Sequence, residues 1–195
     1  MSTARKVDVV DRLARHFSVV GHPFIVIPAS VGAVSVLRGG DSHAAARVAF
    51  LFVAVSVAIL FGVKAGQFND FDVSERQRRP GFYVLVTGAT VALAVWLRNE
   101  PAPLRGCAIA GAVLAACGLL NRWTKASLHT AFALYAAGLW GAWSVSAGLV
   151  ALPIAASVGW SRAHLGRHSW SEVLAGAAVG LVGGASLVLF ASPGG

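Results

Sequence analysis

The longest stretch of this chain without Asp, Glu, Lys or Arg covers residues 126–161. As one helix it would be about 54 Å long, whereas the hydrocarbon core of a bilayer is about 30 Å thick. Two spans with a break between residues 143 and 148 fit this length better. Only 12% of the residues are charged and 56% are hydrophobic, whereas a soluble domain carries about 25% charged residues. The composition predicts an all-α, polytopic membrane protein and excludes a disordered chain and an ordinary nucleic-acid-binding domain.

Further apolar runs predict the other membrane helices, and they cover residues 17–37, 44–66, 81–97, 103–121 and 170–191. The chain is therefore expected to form a bundle of six to seven transmembrane helices, in a single membrane domain over residues 17–195. Residues 1–16 are basic, and their apolar positions recur at helical spacing. This pattern is typical of an amphipathic helix on a membrane surface, and a frayed basic terminus is the alternative.

Glycines in the last apolar run recur at every fourth position, as Gly176, Gly180 and Gly184. Small residues at this spacing allow two membrane helices to approach closely. The pattern predicts close packing inside the bundle rather than a dimer contact.

Basic residues are distributed unequally between the two sides of a seven-span protein. The N-terminus and the loops after spans two, four and six would lie on one side and carry twelve Lys and Arg residues, against four on the other side. Because cytoplasmic loops carry the excess of positive charge, we expect the N-terminus and these three loops in the cytoplasm.

Three polar clusters border these same-side loops, and we call residues 69–80, 122–129 and 161–172 the first, second and third cluster. Ionisable groups at membrane depth are costly and mark functional sites. Interfacial arginines whose stems lie along apolar surface explain Arg76, Arg78 and Arg167. They do not explain Glu172, the only acidic residue after Glu100, which lies four residues after His168. On a helix this spacing puts both side chains on one face, so the clusters predict one site.

The clusters contain short motifs in a fixed order. The first ends in Arg79-Pro80, the second contains Ser127-Leu128-His129, and the third reads Ser161-Arg162, five residues, His168, three residues, Glu172. In this order they resemble the signatures of the type 2 phosphatidic-acid phosphatase superfamily, which are Lys-X6-Arg-Pro, Pro-Ser-Gly-His and Ser-Arg-X5-His-X3-Asp. The resemblance is to a divergent prokaryotic branch of these lipid phosphate phosphatases and implies a prokaryotic cell membrane.

The resemblance implies a reaction without a metal or another cofactor, because side chains supply the positive charge. His168 would be the nucleophile and pass through a phosphohistidine. Glu172 would hold the other ring nitrogen, and His129 would protonate the leaving oxygen and then activate water. The expected phosphate ligands are Arg79, Arg162, the Ser127 hydroxyl, the Leu128 backbone N–H and Lys125. The substrate would be a membrane lipid phosphate or a polyprenyl phosphate or diphosphate in the cytoplasmic leaflet.

The departures from the family pattern lead to further expectations. Asp72 stands where the family has Lys, Leu128 replaces Gly, and Glu172 replaces Asp. Lys125 is the expected replacement cation, with Lys64 as the second candidate. If the segment after Asp72 is helical, Arg76 lies four residues on and could neutralise it.

His164 and His22 are weaker candidates. His164 has either an indirect role in the site or a packing role. His22 has either such an indirect role or one in starting a helix.

Two other functions remain open. The residues Asn69-Asp70-Phe71-Asp72 resemble the first Asp-rich motif of intramembrane prenyltransferases, in which carboxylates hold diphosphate through magnesium. A second Asp-rich motif is absent, because Glu172 is the only acid after Glu100. The third reading is a catalytically inactive family member that binds lipid, because the family's Lys and Gly are missing.

Overall fold

The computed structural model describes residues 8–40, 42–73 and 75–190. These residues form eight α-helices and no strand, and a 3-10 turn over Arg76–Arg78 leads into the fourth helix. The helices are α1 Val9–Val20, α2 Pro23–Leu37, α3 Ser42–Lys64, α4 Arg79–Trp96, α5 Pro101–Leu120, α6 Leu128–Trp143, α7 Val145–His164 and α8 Trp170–Phe190. The predicted all-helical membrane bundle is confirmed.

The helices differ in whether they are long enough to cross a bilayer. Five are long and apolar enough: α3, α4 with its preceding turn, α5, α7 and α8. The bent pair of α1 and α2 would count as a sixth span. With 16 residues, α6 is shorter than the roughly 20 residues that a span needs. Length and composition thus support five or six spans and not the seventh. The break expected between α6 and α7 lies at Ser144.

The boundary between the first two helices differs from the sequence prediction. The amphipathic segment was expected to end at residue 16, but α1 continues to Val20 and the chain bends by 61° before α2. The bend has a local cause. Pro23 occupies the first turn of α2, where no N–H donor is needed, and Nδ1 of His22 accepts the Phe24 N–H at 3.2 Å. Residues 1–7 of the predicted segment lie outside the described residues.

Helix α1 packs on α7 through its buried residues Ala14 and Ser18. Val9 and Leu13 are 60% and 50% exposed. One side of α1 is therefore fixed to the bundle, and the other presents apolar side chains, as in a helix that lies on a membrane surface.

Five helices form a closed ring in which α2 contacts α3, α3 contacts α4, α4 contacts α5, α5 contacts α6, and α6 contacts α2. A cavity of about 670 Å³ lies among them. Helix α8 packs against α5, α6 and α7, and α7 packs against α1 and α6. Both α7 and α8 therefore lie beside the ring, next to α6.

Close contact between α6 and α8 depends on the three regularly spaced glycines of α8. A Cβ atom at Gly176, Gly180 or Gly184 would collide with the backbone of the α6 region. The predicted close approach within the bundle is confirmed. At the N-terminal ends of α6 and α8, the Ser127 N–H donates to the Glu172 carbonyl oxygen at 3.0 Å. The starts of α6 and α8 are thus fixed to each other by backbone contacts.

Substituting alanine at two helical glycines should change stability in opposite directions. A methyl group added by Gly88→Ala in α4 meets no heavy atom of the described residues within 4 Å, so this change should stabilise by about 0.5–1 kcal/mol through helix propensity. Gly180→Ala places a methyl group against the Ala131 backbone and should destabilise by about 1–3 kcal/mol. Thermal unfolding of both variants in detergent measures the difference, and equal shifts would contradict the backbone contact.

Candidate active site

The three polar clusters meet at one end of the bundle, where direct hydrogen bonds join each cluster to the other two. The contacts are Arg79 Nη1 to the Ala126 carbonyl at 3.3 Å, the Ser127 N–H to the Glu172 carbonyl at 3.0 Å, and Arg162 Nη2 to Asp72 Oδ2 at 2.8 Å. The bend between α1 and α2 adds His22 to the same group, 3.2 Å from Asp72. The structure therefore brings most of the predicted site residues together.

The ring of His168 is held through one nitrogen. Its Nδ1 lies 3.1 Å from Glu172 Oε2 and 3.1 Å from the Lys125 carbonyl oxygen, and the side chain is 2% exposed. Both partners accept hydrogen bonds, so we assign the proton to Nδ1 and the lone pair to Nε2. Nε2 is then the nitrogen that can attack an electrophile.

Glu172 has a second, structural role that the sequence analysis did not identify. Its Oε2 accepts the Ser169 N–H at 3.0 Å, and its own N–H donates to Ser169 Oγ at 3.3 Å. This reciprocal pair is a capping box at the start of α8. The pattern Ser169-X-X-Glu172 is visible in the sequence and would have revealed it. The capping box fixes the carboxylate that holds His168. The contact between Glu172 and His168 would therefore form even in a protein without catalytic activity.

Arg162 is 4% exposed and joins three parts of the chain. Its Nη1 donates to Ser18 Oγ in α1 at 2.8 Å, and its Nη2 donates to Asp72. Among the described residues its Nε has no hydrogen-bond partner. Sequence reasoning missed Ser18, since a single serine in an apolar helix carries no signal of its own.

Arg79 is also 4% exposed, and backbone carbonyls hold it. Its Nε donates to the Val73 carbonyl at 3.1 Å, and its Nη1 donates to Ala126. Val73 has a φ of 45°, in the left-handed region that β-branched residues rarely adopt. Backbone strain of this kind concentrates at functional sites.

Asp72 is neutralised by partners other than the one expected. Its Oδ1 lies 3.2 Å from His22 Nε2 and 3.9 Å from His129 Nε2, and its Oδ2 accepts from Arg162. The expected pairing with Arg76 is wrong, because the described residues from Asp72 to the 3-10 turn are not helical. Arg76 instead donates to the carbonyl oxygens that end α5.

The charge of Asp72 is maintained by its neighbours. Burial alone would raise the pKa of this carboxyl. The hydrogen bond to His22 and the charges of His129 and Arg162 outweigh burial and hold the pKa well below its usual range. Asp72 is therefore ionised, and its negative charge is balanced within the site.

His22, Asp72 and His129 have ligand atoms within 4.8 Å of one another, a spacing that a metal ion could use. The hydrogen bonds of His22 argue against this. Its Nδ1 accepts the Phe24 N–H, so the proton of the neutral ring is on Nε2, the atom that faces Asp72. That nitrogen cannot also offer a lone pair to a metal. The arrangement fits a hydrogen-bonded ion cluster better than a metal centre.

Ser127 and Leu128 have structural contacts in addition to the phosphate-binding roles predicted for the Ser127 hydroxyl and the Leu128 N–H. Ser127 is 0% exposed, and its Oγ accepts from the N–H and the hydroxyl of Thr130 at 3.4 and 3.0 Å. It is the N-cap of α6, and its role as a phosphate donor stays a prediction. The Leu128 side chain lines the central cavity, next to His129.

The remaining candidates divide into one residue near the site and two outside it. Lys125 donates to the Arg167 carbonyl at 3.0 Å. Burial and the charges of Arg79, Arg162 and Arg167 lower its pKa, against the opposing effect of Glu172. Lys64 is exposed at the last position of α3.

His164 has the packing role rather than an indirect role in the site. Its Nε2 lies 2.9 Å from Asp11 Oδ1, and its ring stacks on Trp160 with centroids 5.1 Å apart. These contacts join α7 to α1.

The pKa of His168 should respond to Lys125 and not to Lys64. Burial, followed by the positive charges of Lys125, Arg162 and Arg79, lowers this pKa to about 4 despite Glu172. The ring is therefore neutral at pH 7 and takes up a proton only near pH 4. Lys125→Met removes one positive neighbour and should raise the His168 pKa toward its ordinary value, while Lys64→Met leaves it unchanged. Histidine-selective NMR titration in micelles measures the His168 pKa in both variants. An unchanged pKa in Lys125→Met would show that the Lys125 charge does not act on His168.

Asp72 and Arg162 should be strongly coupled in stability. Breaking a buried ion pair by removing one partner lowers the free energy of unfolding by about 3–5 kcal/mol. Because the Asp72 side chain is 22% exposed, we expect a smaller loss of about 2–3 kcal/mol for Asp72→Asn or Arg162→Met alone. The double variant should lose much less than the sum of the two. Unfolding in a double-mutant cycle tests this, and simple additivity would show that the pair contributes nothing.

Comparison of the chain with protein-family models, with curated proteins and with solved structures finds no significant match. The chemistry of the cluster is therefore interpreted from its own geometry. The features that any interpretation must explain are a neutral, oriented histidine, two buried arginines, and a carboxylate that bridges one of them to two further histidines.

Proposed function

We propose that this protein is an integral membrane phosphatase that hydrolyses the phosphomonoester or diphosphate of a lipid or polyprenyl phosphate. The observation that carries the proposal is His168, whose Nδ1 is held by Glu172 beside two buried arginines. A neutral imidazole with one fixed N–H is suited to nucleophilic attack. The reaction would pass through a phosphohistidine, with Arg79 and Arg162 supplying the positive charge in place of a metal.

The first step transfers the phosphoryl group to the enzyme. The lone pair of His168 Nε2 attacks phosphorus, and the bond from phosphorus to the lipid oxygen breaks. Glu172 stabilises the positive charge that forms on the ring. Protonated His129 gives a proton to the leaving oxygen and becomes neutral, and in the second step it takes a proton from the water that attacks the phosphohistidine and returns to its protonated form. Inorganic phosphate is released, and His168 is neutral again.

Two buried polar atoms support an oxyanion as the ligand. Arg162 Nε and His129 Nε2 have no hydrogen-bond partner among the described residues. Buried polar groups in folded proteins are nearly always paired. A phosphate oxygen between these groups would satisfy both, and a forked guanidinium is well suited to hold it.

The side of the membrane follows from the charges of the loops. The N-terminal segment and the segments around the three clusters, which meet at one end of the bundle, hold twelve basic residues, against four in the rest of the chain. This tally favours a site at the cytoplasmic face.

A lipid-binding protein without turnover is the second candidate, and one contact favours it. Asp72 occupies Nη2 of Arg162, the group that a phosphate would use. The prenyltransferase reading has no comparable support, because Asp72 is engaged by Arg162 and His22.

Replacing the nucleophile should separate these readings. Wild-type protein in nanodiscs should release phosphate from phosphatidate or from prenyl mono- and diphosphates in the presence of chelator. His168→Ala should fold and release none, because no nitrogen remains to accept the phosphoryl group. His164→Ala is the matched control, since that histidine contacts α1 outside the site. Its turnover should stay near the wild-type rate.

Three results would contradict the proposal. Turnover by His168→Ala would remove the nucleophile assignment. Phosphate release that requires magnesium would favour the prenyltransferase-like function based on the Asp70 and Asp72 motif. Lipid binding without phosphate release from any substrate would favour the inactive protein.

A further inference from the structure

The cavity inside the ring of helices begins at the polar cluster. At this end it is lined by His22, Asp72, Arg79, His129 and Arg162. Its volume of about 670 Å³ lies within the range of about 300–1,000 Å³ typical of ligand-binding pockets. Its lining extends from the start to the end of α2, a distance of about 22 Å for a helix of 15 residues.

The walls between the two ends are almost entirely apolar. They include Ile27 and Val31 of α2, Phe52 of α3, Val86 of α4 and Ala110 of α5. Apolar cavities offer water few hydrogen-bond partners and stay dry. An empty space would also leave the lining side chains without contacts on one side. A hydrocarbon chain is the occupant that satisfies both conditions.

The far end is closed by charged groups that already have partners. Arg38 donates to the Ala142 carbonyl, Arg105 donates to the Phe190 carbonyl, and Glu100 pairs with Arg47. These contacts tie α2 to α6, α5 to α8, and the start of α5 to α3. Arg38 and Arg105 are held by backbone carbonyls, and the described residues at this end leave no buried side-chain nitrogen or oxygen without a hydrogen-bond partner.

We infer that this cavity holds the tail of a phosphate amphiphile with a single hydrocarbon chain. The phosphate lies at the end with Arg79 and Arg162, and the chain extends between the helices toward Arg38. The inference rests on the proposed function for the identity of the headgroup. Arg162 Nε and His129 Nε2, which have no hydrogen-bond partner among the described residues, both lie at the end with the polar cluster, and this sets the direction of the amphiphile. A volume of about 670 Å³ spread over the length of α2 makes the cavity narrow enough for one chain.

This location predicts a selectivity that a site open to the bilayer would not have. A tail in the surrounding lipid meets the same environment whatever the protein's interior contains. A tail inside the ring contacts protein along its length, so an obstruction halfway down should affect long chains and spare short ones.

Two matched pairs of substitutions test the location of the tail. Ala110→Phe and Val86→Phe place a ring in the cavity wall. Ala108→Phe and Val84→Phe place the same ring two residues away on the same helices, at exposed positions outside the lining. The substrates are butyl, octyl, dodecyl and hexadecyl phosphate, and the readout is kcat/KM after equal thermal stability has been verified. If one cavity variant is unstable, the other carries the test.

We expect both cavity variants to lower kcat/KM for hexadecyl phosphate at least about tenfold and to leave butyl phosphate unchanged. The exposed controls should behave like wild type with every chain. Equal losses for all chain lengths, or no loss for hexadecyl phosphate, would overturn the inference.

A binding measurement separates this inference from the proposed function. Native mass spectrometry of His168→Ala with hexadecyl phosphate should show one bound molecule, which adding Ala110→Phe removes and adding Ala108→Phe does not. If no substrate is hydrolysed but this binding pattern holds, the proposed function fails and the tail site stands. If Ala110→Phe retains the ligand, or a co-purified diacyl lipid occupies the cavity and hexadecyl phosphate does not displace it, the tail site is wrong.

Discussion

A guanidinium buried at the end of a membrane bundle must have its charge balanced, because an unpaired buried charge is far more costly than a paired one. Arg162 meets this requirement through Asp72, and its other nitrogen binds Ser18. Since Ser18 belongs to α1 and Asp72 to the loop between α3 and α4, one side chain brings three distant segments together. The positions of His22 and His129 beside Asp72 follow from this contact. The polar end of the molecule is therefore organised around one ion pair.

The sequence was sufficient for features that depend on local pattern. The apolar runs predicted the helices from α3 onward, and the spacing of His168 and Glu172 predicted their contact. The partner of Asp72 could not be predicted in this way, because Arg162 is ninety positions away in the chain. The bend at His22 was predicted only in part. A helix start at His22 was one of the alternatives for that residue and is confirmed, but the apolar run continues unbroken through it and led to one span from residue 17. The capping box of Ser169 was visible in the sequence and was overlooked.

The polar site and the apolar cavity share the same wall. Leu128 and His129 are consecutive residues at the start of α6, and both line the cavity. Leu128 contributes apolar surface, and His129 contributes a ring nitrogen that has no hydrogen-bond partner in the described part of the chain. The change from a polar to an apolar environment therefore takes place within one helical turn, at the position where a headgroup would join its tail.

The two halves of the polar site differ in how they are attached to the bundle. Glu172 lies in the first turn of α8 and His168 two residues before that helix, and α8 contacts α6 backbone to backbone. Such a contact leaves no room for one helix to slide along the other. His22 and Asp72, in contrast, come from a bend and a loop. A shift of α1 and α2 relative to the bundle would therefore displace this second pair, while His168 and Glu172 would move as one body. The two residues that the proposed reaction uses as nucleophile and carboxylate would thus keep their mutual geometry even where the rest of the polar site moves.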